Sequence, residues 1–412
     1  MLKAMPAAGR TWTELQDEML ERGKGDAKWR EGKTAVYVFN AGEDVAQVQK
    51  EAYTMYMSEN GLGPAAFPSL RQMEEEVIGM GLYLLNGSED AGGSMTSGGT
   101  DSITMAVKTA RDYALANKAT TGQLNLVLPW SAHPAFDKAA KMMLLEIRRI
   151  PCGPDLLADG PAMEQAIDEN TMMLVGSAPN FPYGLIDPIE TLGEIACRKD
   201  VWLHVDACVG GYIAPFVRMN GGVVPPFDFS VPGVKSISAD LHKYGYCAKG
   251  ASTVLFSSNA LKDYMKFDCD DWPGGRMTTP TLAGTRPGGA ISAAWAVMSY
   301  LGVEGYRDKH QQVTDAREII EAGATALGFE VLGKPQLGIV ALAHPTQDIY
   351  AIYKQMFKRG WFTGLTTSPK ALHLMLSPFH LQVTDTYLKD LESSLDQVLA
   401  GDKDRVTESR YS

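Results

Sequence analysis

No stretch of this sequence is apolar for long enough to cross a bilayer, so a membrane-spanning helix is not expected. The apolar part of Met1-Leu-Lys-Ala-Met-Pro is too short for a secretory signal, and no transmembrane anchor is expected. Cysteine is scarce: there are five, at 152, 197, 208, 247 and 269, an odd number without CxxC spacing. That excludes a zinc ribbon and a disulfide framework, and it points to a reducing cytoplasm. Positive charge is short as well. With 38 Lys and Arg against 49 Asp and Glu, the net charge of −11 repels polyanions and argues against nucleic acid or an anionic membrane as partner. An anionic substrate would have to be met by local cations. Internal repeats and low-complexity segments are lacking. The carboxylates Asp268, Asp270 and Asp271 are followed by no glutamate at EF-hand spacing, so no metal site is expected.

What is present is an ordinary globular composition, 45% hydrophobic and 21% charged, over 412 residues. That length allows two or three domains and a sizeable core. Residues 13–22 and 45–56 have helical character, with a short extended piece at 34–39 between them. A Gly- and Pro-rich loop at 60–69 precedes a helical stretch at 70–85. From there strands (124–129, 171–176, 201–205, 252–257) and helices (103–116, 135–145, 188–199) alternate. Alternation with continuously apolar strands predicts an α/β fold whose mostly parallel sheet is covered on both faces. An apolar helix at 290–300 and a long helix from 306 to about 327 bridge to a C-terminal α+β part, read as strand, strand, helix, strand, helix. The expected division is an arm (1–60), a large domain (61–310) and a small domain (311–412). Residues 268–286 read as a long irregular loop, a kind that tends to be functional.

Three stretches carry chemistry. The apolar run 201–205 ends in Asp206-Ala207-Cys208 and two glycines, so a buried strand would deliver an acid into a cleft at its C-terminal end. A second short strand runs into Ser236-Ile-Ser-Ala-Asp-Leu-His242-Lys243. An acid and a lysine, each just past a strand end, suit pyridoxal phosphate: the amine bonds the cofactor aldehyde and the acid keeps the ring nitrogen protonated. A strand-end Asp alone would equally serve a turn or a helix cap. Upstream, Ser97-Gly98-Gly99-Thr100 before a helix offers free backbone N–H groups at the positive end of the helix dipole, a phosphate seat or simply a capped helix start. His133, in Ser131-Ala-His-Pro, also follows a strand, as does the loop Ser177-Ala-Pro-Asn180-Phe-Pro-Tyr183. His204, His310, His344 and His380 lie in no motif and read as structural or solvated. His373, in an apolar strand, reads as core or surface.

Taken in order, these motifs resemble the pyridoxal-phosphate-dependent group II decarboxylase family, from about Trp29 to Leu399. The resemblance rests on Thr96-Ser-Gly-Gly-Thr-Asp-Ser-Ile, Ser131-Ala-His-Pro-Ala-Phe-Asp-Lys-Ala and Ser177-Ala-Pro-Asn-Phe-Pro-Tyr-Gly. It continues through His204-Val-Asp-Ala-Cys-Val-Gly-Gly, Ser236 to Gly250 and Thr285-Arg-Pro-Gly-Gly. Within the family, Lys243-Tyr-Gly-Tyr-Cys-Ala-Lys249-Gly points to the lyase branch, whose members act on phosphorylated long-chain bases, over the amino-acid decarboxylases. The resemblance implies fold type I: a large domain with a seven-stranded sheet, a small C-terminal domain, and a homodimer with shared active sites. It implies pyridoxal 5'-phosphate as cofactor, Lys243 as its Schiff-base lysine and Asp206 as partner of its ring nitrogen. His133 would stack on one face of the ring and Ala207 on the other. Gly99, Thr100 and His242 would hold the phosphate, with Thr279 from a second subunit. Lys249 would bind the substrate phosphate or move a proton, and Asn180 and Tyr246 are further candidates.

The implied reaction is retro-aldol cleavage of sphingosine or sphinganine 1-phosphate to a fatty aldehyde and phosphoethanolamine. Met277, where the family is commonly aromatic, and Asn180, where the animal enzymes have glutamine, depart from the pattern. Two alternatives stay open: an L-amino-acid decarboxylase acting on an aromatic or acidic substrate, with Arg286 as the carboxylate ligand, and a non-catalytic binding protein on the same fold.

Overall fold

The computed structural model describes residue 2, residues 4–402 and residues 404–409. Seven strands form the main sheet: β1 (Gly92–Thr96), β2 (Asn125–Pro129), β3 (Glu146–Ile150), β4 (Thr171–Ser177), β5 (Trp202–Asp206), β6 (Val234–Ala239) and β7 (Ser252–Phe256). Their order is β1-β7-β6-β5-β4-β2-β3. The pairs from β6 through β3 are parallel, while β7 runs against both β6 and β1. The expected mostly parallel sheet is therefore present, with β7 as its one reversed strand. Strands β1, β2, β4, β5 and β7 are buried at every residue, as a sheet covered on both faces requires.

One face is covered by the Gly99–Asn117 helix, whose Ile103, Ala106, Val107, Ala110 and Ala114 recur at helical spacing and pack with Trp202, Val254 and Phe256. The other face carries the larger core, with Leu203, Val205 and Ile237 against Leu192, Phe216 and Tyr212.

Two strands of the main sheet escaped the sequence pattern for opposite reasons. β1 is glycine-rich because the chain there lies against its neighbours: a Cβ on Gly93 would meet Leu255 Cδ2 at 2.5 Å and the Val254 carbonyl at 2.8 Å. β3 is the sheet's far edge and carries Glu146, Arg148 and Arg149, charges that suit an exposed edge and hide an apolar pattern. The 268–286 segment, expected to be irregular, contains a small antiparallel ribbon of β8 (Phe267–Cys269) and β9 (Met277–Thr279). Arg276 pairs with Asp268 at 2.5 Å across it.

The helix Gly288–Ala326 leads out of the large sheet and breaks at Gly302, whose φ of 53° is open to glycine. A smaller C-terminal domain follows. Its sheet, β10 (Glu330–Val331), β11 (Ile339–Ala343), β12 (Gly364–Thr367) and β13 (Lys370–Met375), is antiparallel in the order β10-β11-β13-β12. It carries the helices Ile349–Lys358 and Thr384–Leu399. The extended piece near residue 35 runs alongside it, with Ala35 N–H donating to the Phe362 carbonyl at 2.9 Å and Phe362 N–H to the Lys33 carbonyl at 2.8 Å. Among the described residues no helix is long and apolar enough to cross a membrane.

The parallel strands all present their C-terminal ends to one side, and the loops after β1, β2, β4, β5 and β6 meet there. Two of these loops touch at Gly210, where a Cβ would sit 2.1 Å from the Ala178 carbonyl oxygen and 3.2 Å from Leu337 Cδ1. Backbone cannot step aside as a flexible side chain does. Gly210→Ala is expected to destabilise the protein by about 1–3 kcal/mol, read from the urea midpoint. An unchanged midpoint would show that the two loops are free to separate.

Candidate active site

Asp206 closes β5 and Lys243 follows β6, the adjacent parallel strand, with Asp206 in register with Ser238. The two chemistries read from separate stretches therefore arrive side by side. Lys243 Nζ lies 3.0 Å from Asp240 Oδ2, a nearly buried carboxylate three residues earlier. Burial pushes the Asp240 carboxyl up, but the charges of Lys243 and His242 and its hydrogen bonds outweigh this, and it stays below the usual range. Asp240 was not singled out from the sequence, although its place three residues before the lysine was visible. Asp206, 7% exposed, accepts from the Cys208 N–H at 3.1 Å and from Ser238 Oγ at 3.4 Å, both on Oδ1.

Lys243, His133, His242 and Lys249 line one cavity of about 1190 Å³. His133 sits on the loop after β2, its Nδ1 accepting the Ala135 N–H at 3.1 Å. Burial lowers its affinity for a proton; Asp206 opposes this and Lys243 adds to it, so both charges reach the imidazole. His242 Nδ1 lies 2.8 Å from the Ala251 carbonyl and its Nε2 3.9 Å from Asp240 Oδ2. Lys249 Nζ donates to the Tyr37 carbonyl at 2.8 Å and stands 5.5 Å from the Phe39 ring centre. Burial first, and then the charge of Lys243, bring the Lys249 amine down to about 8.

The glycine-rich loop abuts this group. A Cβ on Gly99 would meet Asp240 Oδ2 at 2.8 Å and Cys208 Sγ at 2.9 Å, so only glycine lets the helix start come so close. At Gly98 the space is open, with His242 Cε1 at 3.9 Å the nearest atom. The helix that begins at Gly99 has no side-chain cap from its N-cap residue, Gly98. Its Thr100 is exposed. Uncapped N–H groups beside a histidine fit a phosphate. Asp206 Oδ2, which takes no hydrogen bond among the described residues, fits a protonated ring nitrogen. Ala207, next in the chain, is fully buried.

Other candidates stand elsewhere. Tyr246 is a core residue: its phenol meets His310 Nδ1 at 3.1 Å and its ring stacks on Tyr306, so it does not line the cavity. Asn180 is fully buried, and its amide ties the loop together through the Tyr183 N–H at 3.2 Å and the Leu156 carbonyl at 3.4 Å. Its neighbours Phe181, Pro182 and Tyr183 face the cavity instead. Thr279 and Arg286 line a separate cavity of about 190 Å³, where Arg286 is paired with Glu74 and donates to the Gly61 carbonyl at 2.8 Å. His373 is buried, as a core reading expects, yet it also lines the main cavity, its Nε2 2.9 Å from the Phe181 carbonyl. Val36, Tyr37 and Phe39 of the N-terminal arm, with Val406 and Ser409 near the other terminus, wall the same space without any sign of it in their local sequence. They are remote in the chain and belong to no motif.

The conserved pyridoxal-dependent decarboxylase domain matches residues 27–344. The chain belongs to that family. A sphingosine-1-phosphate lyase from rice (Oryza sativa subsp. japonica) is 41% identical over 385 residues, 91% of this chain and 71% of that protein. A solved sphingosine-1-phosphate lyase of Burkholderia pseudomallei superposes with a TM-score of 0.92 at 34% identity, covering 98% of each chain. A probable L-tyrosine/L-aspartate decarboxylase of Methanosarcina acetivorans is 36% identical over 84% of this chain and 89% of its own length. As a member of the pyridoxal-dependent decarboxylase family the protein is a pyridoxal-phosphate-dependent lyase of fold type I.

The tight approach at Gly99 makes a direct test of the phosphate seat. Gly99→Ala is expected to weaken pyridoxal phosphate binding by about 10-fold or more, measured by spectral titration, because the added methyl displaces Asp240 or the helix start. Parent-like affinity would place the phosphate elsewhere.

Proposed function

We propose that this enzyme cleaves the Cα–Cβ bond of a phosphorylated long-chain amino alcohol, of the sphingosine or sphinganine 1-phosphate type, to a fatty aldehyde and phosphoethanolamine. The observation that carries the reading is the size of the cavity together with the apolar part of its lining. Lys243 and Lys249 share it with Val36, Phe39, Phe181, Phe362 and Met375, beside polar residues such as Asp137, Arg149 and Thr366. Its volume of about 1190 Å³ exceeds the ~300–1,000 Å³ of common small-molecule sites, leaving room for a hydrocarbon chain. A compact amino acid needs less space.

Pyridoxal phosphate, when bound, supplies the electron sink that takes up the bond pair as the carbon–carbon bond breaks. In this reading Lys243 would hold its aldehyde end and Asp206 would keep its ring nitrogen protonated, an opposite charge favouring the charged form. His133 would pack on one face of the ring, with the fully buried Ala207 beneath the surface on the other side. Gly99, Thr100 and His242 would hold its phosphate, joined by Thr279 of a second subunit. Lys249, protonated, holds the phosphate of the substrate, a point charge suited to that group. We further read the enzyme as a cytoplasmic homodimer. All five cysteines are unpaired, as a reducing compartment favours. The helix Trp12–Gly23 buries none of its residues and exposes Trp12, Met19 and Leu20, a face that a second subunit would cover. Asn180 and Tyr246 act in this reading by shaping the loops around the site.

Amino-acid decarboxylation is the second reading, favoured by the similarity to the archaeal decarboxylase. It needs a cation for the α-carboxylate, and Arg286 is already paired with Glu74 in the smaller cavity.

Product analysis separates the two: aldehyde and phosphoethanolamine from a phosphorylated sphingoid base, against carbon dioxide from tyrosine or aspartate. Lys243→Ala is expected to abolish turnover and the visible absorbance of the bound cofactor; retained activity would refute the assignment of that lysine. The role of Lys249 has a pH signature. With its amine at about 8, the cation is lost as pH rises through that value, so kcat/KM for the phosphorylated substrate should fall there, chiefly through a rise in KM. A rise in kcat through the same pH would instead make Lys249 the proton acceptor.

A further inference from the structure

Strand β5 places Trp202, His204 and Asp206 on one face, and β6 places Ser236 and Ser238 on the same face, because side chains alternate with period two. The register pairs His204 with Ser236 and Asp206 with Ser238. This face lies under the Gly99–Asn117 helix, where an apolar row would be the ordinary filling. Instead a row of polar side chains is buried there: His204, Ser236 and Ser238 are each 0% exposed. Burying such groups costs free energy unless every one of them is satisfied.

Their hydrogen bonds have only one consistent direction. The carboxylate of Asp206 accepts only, so Ser238 Oγ–H donates to Oδ1 across 3.4 Å. With its proton used, Ser238 Oγ accepts from His204 Nε2–H at 3.2 Å. His204 Nδ1 is then the acceptor, and Ser236 Oγ–H donates to it at 2.8 Å. Ser236 in turn accepts from the indole Nε1–H of Trp202, a group that only donates, at 2.8 Å. Cys208 Sγ–H reaches Ser238 Oγ from the side at 3.4 Å, filling its second lone pair. Burial brings His204 down to about 4, so it stays neutral at working pH and the chain keeps its direction.

We propose that His204, acting through Ser238, is a positioning residue for Asp206. The chain of donors that starts at Trp202 ends on Asp206 Oδ1, where the Cys208 N–H also binds, and together they fix the plane of the carboxylate. Oδ2 is left for the ring nitrogen. This rests on the reading of Asp206 given under Proposed function. Donors aligned head to tail strengthen one another, so a carboxylate that receives them is held more firmly in one orientation. His204 touches neither cofactor nor substrate in this scheme; it sets which way Ser238 points.

The test measures cofactor binding, not turnover. The cofactor-stripped full-length chain is titrated with pyridoxal phosphate, and the pH at which the visible band of the bound cofactor changes is recorded. Ser238→Ala and His204→Leu are each expected to weaken binding by about 10-fold, the scale of one lost bond to a charged group. The double variant should lose no more than the worse single, because both cut the same chain. His204→Gln, which keeps a donor for Ser238, should stay within about two-fold of the parent. Folding is checked by circular dichroism, and Ser238→Ala, which removes a single hydroxyl, carries the test if His204→Leu misfolds. Parent-like affinity and spectrum in Ser238→Ala overturn the proposal, as do losses that multiply in the double variant. Asp206→Ala separates the two layers: a loss there without one in the chain variants sinks the positioning role alone, while parent-like binding in Asp206→Ala sinks the assignment of Asp206 as well.

Discussion

The parallel pairing of β5 with β6 is the constraint on which the rest depends. Parallel neighbours end on the same side of a sheet, so the chain past Asp206 and the chain past Ala239 open into one cleft. An antiparallel pairing would send the acid and the lysine to opposite edges. The hydrogen-bond register then sets their height relative to each other: a slip of one residue would also turn Asp206 to the opposite face of the sheet. The apolar residues Leu203, Val205 and Ile237, buried on the other face, hold that register, since a one-residue slip would bring His204 and Ser236 into their place. Core packing and site geometry are in this sense one constraint.

Within that frame, charge is balanced locally and not by the net field. The protein carries −11, yet Lys243, Lys249 and Arg149 gather around one cavity. Lys243 is met by Asp240 at 3.0 Å, while Lys249 is held by carbonyl oxygens and an aromatic face. These two lysines thus have different countergroups, and burial together with the charge of Lys243 brings the Lys249 amine down to about 8. An anionic substrate approaching a negative protein meets favourable charge inside this cleft.

Much of the architecture was legible because the parallel strands are buried on both faces and read as unbroken apolar runs. The sequence pattern failed where another demand wrote over it: glycine for close approach in β1, charge on the exposed edge in β3, and shortness in β8, β9 and β12. Of the site, Lys243, His133, His242 and Lys249 could be named in advance because each follows a strand end or sits in a motif, and they share one cavity. The walls of that cavity were not legible. Val36, Phe39 and Met375 come from distant parts of the chain and reach the cleft only through the packing of the arm on β12 and β13, which no local pattern encodes. Tyr246 shows the converse. It lies in the most informative motif of the chain, yet its left-handed backbone (φ 53°) and its bond to His310 belong to the core.

His204 shows why absence of a motif is a poor guide to role. On an otherwise apolar strand, a histidine reads as a core residue that happens to be satisfied, and the structure does satisfy it, through Ser236 and Ser238. The serines are the informative part. Ser236 and Ser238 alternate with Ile237 and Ala239, an ordinary strand pattern whose polar face would be assigned to solvent; here that face is buried beneath a helix. A polar row kept dry under a helix needs a reason, because each of its members could be replaced by a small apolar residue at little cost once its partner is replaced too. The one member that cannot be so replaced, if the ring nitrogen is to stay protonated, is Asp206. The direction of the whole row follows from it: a carboxylate that only accepts at one end and an indole that only donates at the other leave the intervening hydroxyls and imidazole a single arrangement.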